Sequence, residues 1–194
     1  MAYSFIDENK KQLTKQDIDF IYNELNKELR KKFKKYPKDF KAELYVVGGA
    51  NIITNIGSRV STLDIDGMWN IGAEMRDCIN SMSDRLGLSH EVINCNFKNT
   101  KSYTNAIVFN SHIYKEFDRL VVRNVNIDLI LCMKLISLRK NKQTDKEDII
   151  SIIKVMKVNG IIVNSNTIEE AVLKYYGTLN VLGEDSRKLI KALN

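Results

Sequence analysis

The sequence has little of several residue types on which common kinds of site depend. Its 194 residues include only two histidines, His90 and His112, which makes a histidine-based zinc site improbable. The three cysteines, Cys78, Cys95 and Cys132, are odd in number and have no C-x-x-C spacing, so we expect reduced, mostly buried thiols in a cytosolic protein. A hard cation held by oxygen ligands fits this supply of residues better.

Long apolar runs and several catalytic motifs are also missing. No apolar run approaches the roughly 18 residues that a transmembrane helix needs, so we expect no membrane partner. The first ten residues lack a basic region followed by an apolar segment, so we expect no secretion signal and a cytoplasmic location. Neither G-x-x-x-x-G-K-[ST] nor G-x-S-x-G occurs, which argues against a P-loop NTPase and an α/β-hydrolase.

The residues that are present predict an α+β fold with a helical bundle at its carboxyl end. With 44% apolar and 28% charged residues, the chain is long enough for one sizeable core. We expect one continuous unit with a helical segment at 1–40 packing on the core, an α/β core at 41–128 and a bundle at 129–194. The predicted helices are 15–36, 50–56, 70–86, 128–139, 145–158, 167–176 and 184–193, and the predicted strands are 43–47, 62–68, 104–110 and 120–127.

A glycine pair follows the first predicted strand. Gly48 and Gly49 come directly after the apolar residues Val46 and Val47. Glycine has no Cβ, so a bound phosphate can come close to the backbone at such a pair. The segment is therefore a candidate phosphate-binding turn.

Two acidic residues alternate along the second predicted strand. Alternation places the carboxylates of Asp64 and Asp66 on one face and leaves Leu63 and Ile65 for the other. Their Cα atoms would lie about 7 Å apart, two rises of an extended chain, so both side chains can reach one Mg²⁺ or Mn²⁺ ion. A phosphate-binding turn beside a divalent-metal site indicates transfer of a nucleotidyl or phosphoryl group.

Lys134 is the only charged residue between Leu129 and Leu138, so its helix is predicted to be buried. A desolvated ammonium is costly unless an anion meets it. That anion is either a carboxylate, from Asp64, Asp66 or a nearby helix, or the phosphates of a bound nucleotide.

The segment T-D-K-E at 144–147 predicts a capping box at the start of the next helix. Asp145 and Asp148 fall in its first turn, three residues apart on one face. Two interpretations stay open. Either these carboxylates favour the helix amino terminus, or one of them orients Lys134 or holds an acceptor hydroxyl.

Much of the formal net charge of +6 lies between residues 30 and 41, where Asp39 is the only acid. This cluster is either a footprint for an RNA backbone or a solvated helix end whose cations suit the helix dipole. Its cations are Arg30, Lys31, Lys32, Lys34, Lys35, Lys38 and Lys41.

Together these motifs resemble the nucleotidyltransferase superfamily, whose first motif is a hydrophobic residue, Gly-Gly or Gly-Ser, and then Asp-x-Asp or Asp-x-Glu. More narrowly, residues 43–157 resemble bacterial nucleotidyltransferase-like domains related to the AbiEii-like abortive-infection toxins. The matching segments are Gly48-Gly49-Ala50, Arg59-x-Ser61-Thr62-x-Asp64-Ile65-Asp66, Gly87-Leu88, Ile93-Asn94, Met133-Lys134-Leu135, Arg139 and Asp145-x-x-Asp148-Ile149.

The resemblance implies a small mixed β-sheet flanked by helices, with a helical bundle behind it. It implies metal-dependent transfer of a nucleoside monophosphate from an NTP to an RNA end such as that of tRNA, or to a protein or small-molecule hydroxyl. A cognate antitoxin or other partner protein would follow from a role in a toxin–antitoxin or phage-defence pair. The implied metal ligands are Asp64 and Asp66, the nucleotide contacts are Gly48, Gly49, Arg59, Ser61 and Lys134, and the distal carboxylate is Asp145 or Asp148.

The chain departs from the family pattern at two positions. Cys95 stands where relatives often have an acid, and the predicted strand at 120–127 contains no third metal carboxylate. Two other hypotheses therefore stay open beside that of an active nucleotidyltransferase. One is a catalytically inactive nucleotide-binding or interaction module with the same fold, and the other is a basic RNA-binding protein in which Asp64 and Asp66 are incidental.

Overall fold

The computed structural model describes residues 12–193, which form two compact units. The described residues of the first unit are 12–95 and 112–124, and those of the second are 96–111 and 125–193. The helices predicted after residue 128 all fall in the second unit. The expectation that no secretion signal is present concerns residues that lie outside the described ones.

A mixed five-stranded sheet forms the centre of the first unit, and its strand order is β5-β4-β2-β7-β6. Strand β2 is parallel to β7 and antiparallel to β4, and β4 is parallel to β5. Strands β1 and β3 form a separate antiparallel pair. The strands are β1 (Leu13–Thr14), β2 (Ala42–Val46), β3 (Ser61–Thr62), β4 (Ile65–Trp69), β5 (Ile93–Asn94), β6 (Ser111–Glu116) and β7 (Leu120–Val125).

Helices cover the sheet of the first unit and complete its core. A capping box starts the first of them, because Thr14 and Asp17 each bond to the other's backbone N–H. The apolar residues along one side of this helix are buried in a single hydrophobic cluster. The same cluster contains residues of the third helix and of the sheet. The helices are α1 (Lys15–Lys32), α2 (Gly48–Asn51), continued by a π-helical turn at Ile52–Ile56, and α3 (Gly72–Leu86).

The second unit is helical, and its longer helices confirm those predicted from apolar spacing to within a few residues. Helix α5 is apolar on nearly every face, and it packs against both α6 and α7. Within residues 12–193, no helix has the length and apolar character needed to cross a membrane. The helices are α4 (Ala106–Phe109), α5 (Ile127–Ile136), α6 (Gln143–Val158), α7 (Ser165–Tyr176) and α8 (Glu184–Lys191).

The mixed α+β class predicted from the sequence is confirmed, but the strand predicted at 104–110 is wrong. This segment forms the short helix α4, and the strand of this region is β6, which follows it. The hydroxyl of Thr104 accepts the N–H of Ala106, which starts a helical turn. The periodicity of a short apolar run does not distinguish a helix from a strand. In this segment the local hydrogen bonds determine that a helix forms.

Two further predictions need correction. The single strand predicted at 62–68 is interrupted at 63–64, where the chain bends between β3 and β4. The sequence pattern placed Leu63 and Ile65 on the same face, but Ile65 is fully buried whereas Leu63 is 67% exposed. The capping box predicted at 144–147 is also wrong, since α6 begins at Gln143 and Lys142 precedes it without a side-chain cap.

Candidate functional site

The glycine pair lies where strand β2 gives way to helix α2. Val47 donates its N–H to the carbonyl of Asp66, at 2.9 Å, so this end of β2 is tied to β4. Gly48 then turns the chain with a φ of +63°, a left-handed conformation that other residues rarely adopt. As at any helix start, the first N–H groups after the turn have no partner within the helix.

The carboxylate of Asp66 occupies the space that a side chain on Gly48 would fill. A Cβ at Gly48 would lie 2.6 Å from Oδ2 of Asp66, closer than such atoms approach in folded proteins. The glycine is therefore required twice, for the left-handed turn and for the close approach of an acid to the backbone. This contact places the predicted phosphate-binding turn beside one of the two predicted metal ligands.

The loop before β3 packs against the second glycine. A Cβ at Gly49 would lie 3.0 Å from Cβ of Thr62 and 3.1 Å from Nη1 of Arg59. The Nε of Arg59 donates to the carbonyl of Ser61 at 2.8 Å, which fixes the arginine over the turn. Ser61 itself pairs with β1, and its hydroxyl donates to Gln12. The loop thus brings a cation to the glycine pair.

Asn94 positions the other predicted metal ligand. Its buried side-chain amide donates to Oδ2 of Asp64 at 3.0 Å and to the carbonyl of Glu91 at 3.3 Å. In the parallel pairing of β4 and β5, the Cα of Asn94 stands opposite that of Asp66. Directly paired residues of neighbouring strands point to the same face. Asp64 is therefore held on the face of the sheet to which Asp66 points, although the chain bends at Asp64.

Two half-buried carboxylates on one face fit a magnesium ion that arrives with a nucleotide. Among residues 12–193, no group of three or more His, Cys, Asp or Glu side chains is placed to hold a metal. Mg²⁺ commonly uses only one or two protein carboxylates, and substrate phosphates and waters complete its octahedral shell. Asp64 and Asp66 match that donor set.

Buried polar side chains support the turn from behind. The side-chain amide of Asn51 donates to the carbonyl of Val46 at 2.8 Å. The hydroxyl of Thr54 donates to the carbonyl of Ala50 at 2.8 Å and lies 3.1 Å from Oδ1 of Asn124 on β7. These bonds attach helix α2 and its π-helical continuation to the ends of two neighbouring strands. These buried hydrogen bonds therefore restrict the movement of the glycine turn.

Lys134 lies in the second unit and is paired with Asp148. Its Nζ is 2.8 Å from Oδ2 of Asp148, and the two side chains are only 14% and 8% exposed. The sequence left several anions possible as the partner of the Lys134 ammonium, and the structure shows that the partner is a carboxylate of a nearby helix. The pair joins the last turn of α5 to the first turns of α6.

Asp145 is held by Arg139 through a two-pronged ion pair. The Nε and Nη2 of Arg139 lie 2.7 and 2.8 Å from the two carboxylate oxygens, in the planar arrangement that suits a guanidinium. Burial alone would raise the pKa of Asp145, but the hydrogen bonds and charge of Arg139, with the charge of Lys134, lower it. Asp145 is thus an ionised partner of Arg139, and it does not cap α6.

The predicted site residues therefore fall into two groups. The glycine pair, Arg59, Asp64 and Asp66 surround one turn in the first unit, and Lys134, Asp145 and Asp148 connect α5 and α6 in the second. Sequence reasoning missed the positioning role of Asn94, because a polar residue in a two-residue strand gives no periodic signal. Comparisons of the chain with protein-family models, curated proteins and solved structures give no match.

Proposed function

We propose that the chain is a metal-dependent nucleotidyltransferase of the nucleotidyltransferase superfamily. It would move a nucleoside monophosphate from an NTP to an acceptor hydroxyl, on an RNA end such as that of tRNA, a protein or a small molecule. The observation that carries this proposal is the carboxylate of Asp66 against the Cβ-less backbone of Gly48. A helix start that receives phosphate and an acid that receives a metal are then neighbours, as nucleotidyl transfer requires.

Residues of the first unit supply the binding and the orientation in this proposal. The N–H groups after Gly48 and the guanidinium of Arg59 receive the triphosphate. Asn94 keeps the carboxylate of Asp64 in one orientation, and the contact with Gly48 does the same for Asp66. Magnesium or manganese held by these two acids would neutralise charge on the phosphoryl oxygens. The acceptor oxygen bonds to the α-phosphorus as pyrophosphate leaves, so catalysis is mainly positioning and electrostatics.

The resemblance to the superfamily also assigns Lys134 to the triphosphate and Asp145 or Asp148 to the distal carboxylate. In the structure these side chains are paired within the second unit, Lys134 with Asp148 and Asp145 with Arg139. Their roles in transfer therefore rest on the resemblance alone.

A second candidate is a nucleotide-binding module without catalytic activity, as one member of a cytoplasmic toxin–antitoxin or phage-defence pair. The observation that favours it is the buried pairing of Lys134 with Asp148, which already satisfies the ammonium. The absence of a third clustered carboxylate in residues 12–193 agrees with it. The two candidates differ in turnover, because the module would bind an NTP without transferring its nucleotide.

Label transfer from NTPs tests the enzyme. The four α-labelled triphosphates are each incubated with total RNA and cell extract, in Mg²⁺ and in EDTA, and acceptors are resolved by electrophoresis. We expect one or more labelled products with Mg²⁺ alone, reduced about a hundredfold or more by Asp64→Asn or Asp66→Asn. Glu147→Gln is the matched control, because it removes the same charge from an exposed residue of helix α6. Saturable NTP binding without label transfer would favour the inactive module.

A further inference from the structure

The basic cluster at residues 30–41 separates into two kinds of cation. Four of its members are paired with carboxylates elsewhere in the first unit, which offset part of their charge. These pairs are Arg30 with Asp118 at 3.5 Å, Lys31 with Glu28 at 3.0 Å, Lys32 with Asp77 at 3.0 Å and Lys41 with Glu116 at 2.5 Å.

The other three cations lie in the turn formed by residues 33–40, which we call the lysine turn. Lys34, Lys35 and Lys38 are exposed, and within residues 12–193 none has an ion pair or a side-chain hydrogen bond. Asp39 is the only acidic residue in the turn. The lysine turn therefore carries a net charge of +2, from three lysines less one aspartate, and this charge is accessible.

Three aromatic rings of the lysine turn pack against one another. Phe33 is buried, and its ring centroid is 4.8 Å from that of Tyr36 and 4.9 Å from that of Phe40. Tyr36 and Phe40 are themselves 5.0 Å apart. Tyr36 remains 48% exposed, so one ring of the cluster is presented among the lysines while the other two support it.

The backbone of the lysine turn is held in one conformation. The guanidinium of Arg119 donates to the carbonyls of Tyr36 at 3.3 Å and Phe40 at 3.1 Å, and also to that of Pro37. Phe40 donates its N–H to the carbonyl of Pro37 at 3.1 Å, and the ring of Pro37 fixes one backbone angle. A surface held in this way loses little conformational entropy when a partner binds.

We propose that the lysine turn binds single-stranded nucleic acid. The ammonium groups of Lys34, Lys35 and Lys38 contact successive phosphates, and an unpaired base stacks on the exposed ring of Tyr36. Point charges and one ring read no base edge, so binding is independent of sequence. A lipid surface fits less well, because Tyr36 is the only large apolar side chain that the turn exposes. This inference does not depend on the proposed transfer reaction.

Fluorescence anisotropy with a fluorescein-labelled 12-nucleotide RNA of mixed sequence tests the proposal. The titrations are made in EDTA at several KCl concentrations, so neither a metal nor an NTP contributes. Each phosphate contact to a single strand adds about 0.7 to the slope of log affinity against log salt. The triple change of Lys34, Lys35 and Lys38 to Gln should therefore lower the slope by about 2 and the affinity by at least about tenfold.

The matched control removes the same charge from helix α6. Lys146, Lys154 and Lys157 are exposed and, within the described residues, have no carboxylate partner. Changing all three to Gln should leave the affinity within about twofold and the slope unchanged, because these lysines belong to the second unit and a screened charge that contacts no phosphate adds little. Equal losses in the two triple variants would mean that net charge alone drives binding, and would overturn the proposal.

Two variants at one position test the stacking. Tyr36→Leu keeps an apolar side chain over Phe33 and Phe40 but removes the ring, and Tyr36→Phe keeps the ring. We expect about fivefold weaker binding for Tyr36→Leu with an unchanged salt slope, and affinity within about twofold of wild type for Tyr36→Phe. The proposal is wrong if wild type does not bind the 12-mer, if it binds duplex RNA more tightly, or if it binds phosphatidylserine vesicles but not the strand.

Discussion

The acidic residues of the two units are used in opposite ways. In the first unit, the half-buried carboxylate of Asp64 accepts a hydrogen bond from the uncharged amide of Asn94, and the half-buried carboxylate of Asp66 lies against the backbone of Gly48. In the second unit, Asp145 and Asp148 are buried and each meets a cation. A carboxylate oriented by a neutral amide, such as that of Asp64, keeps its charge available for a ligand, whereas one paired with a cation mainly holds helices together.

The largest effect on stability should come from breaking the pair of Lys134 and Asp148. Asp148→Ala leaves a mostly buried ammonium without its partner, and we expect the free energy of unfolding to fall by about 3 kcal/mol in urea titrations. Replacing both residues, as Lys134→Met with Asp148→Leu, should recover most of this loss. If Asp148→Ala alone lowers the free energy of unfolding by less than about 0.5 kcal/mol, the pair of Lys134 and Asp148 does not have the structural role described here.

A somewhat smaller effect should follow from a side chain at the glycine turn. Gly48→Ala combines a left-handed backbone with a Cβ at 2.6 Å from Asp66, so we expect a loss of about 2 kcal/mol. Gly57→Ala is the matched control, since Gly57 has a φ of +72° and no atom within 4 Å of the added Cβ. It should cost about 1 kcal/mol, from backbone strain alone. Equal losses from both would show that Asp66 does not press against the turn.

The ion pair of Asp145 should appear as a pH dependence of stability. Because Arg139 lowers the pKa of Asp145 below its ordinary value of 3.8, the carboxylate stabilises the fold above that pH. The contribution is lost as the pH falls through the lowered pKa of the folded state. We expect Asp145→Asn to remove about 1 kcal/mol at pH 7.

Urea titrations of wild type and Asp145→Asn at pH values from 7 to about 2 measure this dependence. The difference between the two proteins should shrink as the pH approaches the lower end of this range. A difference that stays constant, or that grows in acid, would contradict an ionised and paired Asp145.

The smallest effect on stability should come from Asp64. Asp64→Asn keeps the size of the side chain, and the bond from Asn94 is to an oxygen that the amide retains. We expect a change within about 0.5 kcal/mol, measured in the same urea titrations. A loss as large as that of Asp148→Ala would place Asp64 among the structural acids and would weaken its assignment to a ligand.

Features with local causes were predicted well from the sequence. Apolar spacing gives the helices of the second unit, and an apolar run before a glycine pair gives strand β2 and the turn after it.

Features that depend on distant contacts were not predicted. Asn94 reaches Asp64 across 30 positions, and Arg119 supports the lysine turn across about 80, so neither contact leaves a periodic signal. The partner of Lys134 stayed open for the same reason, because it depends on how α5 packs against α6. In the basic cluster, only the structure separates the cations that have a carboxylate partner from those that have none among the described residues.

Binding of Mn²⁺ in the presence of an NTP tests the contrast between the two units most directly. Free and bound Mn²⁺ are measured by electron paramagnetic resonance in wild type and in four Asp→Asn variants, at positions 64, 66, 145 and 148. We predict NTP-dependent binding that is lost in the first two variants and kept in the last two, after folding is checked by circular dichroism. Binding that is unchanged in the variants at 64 and 66, or lost equally in all four, would contradict this prediction.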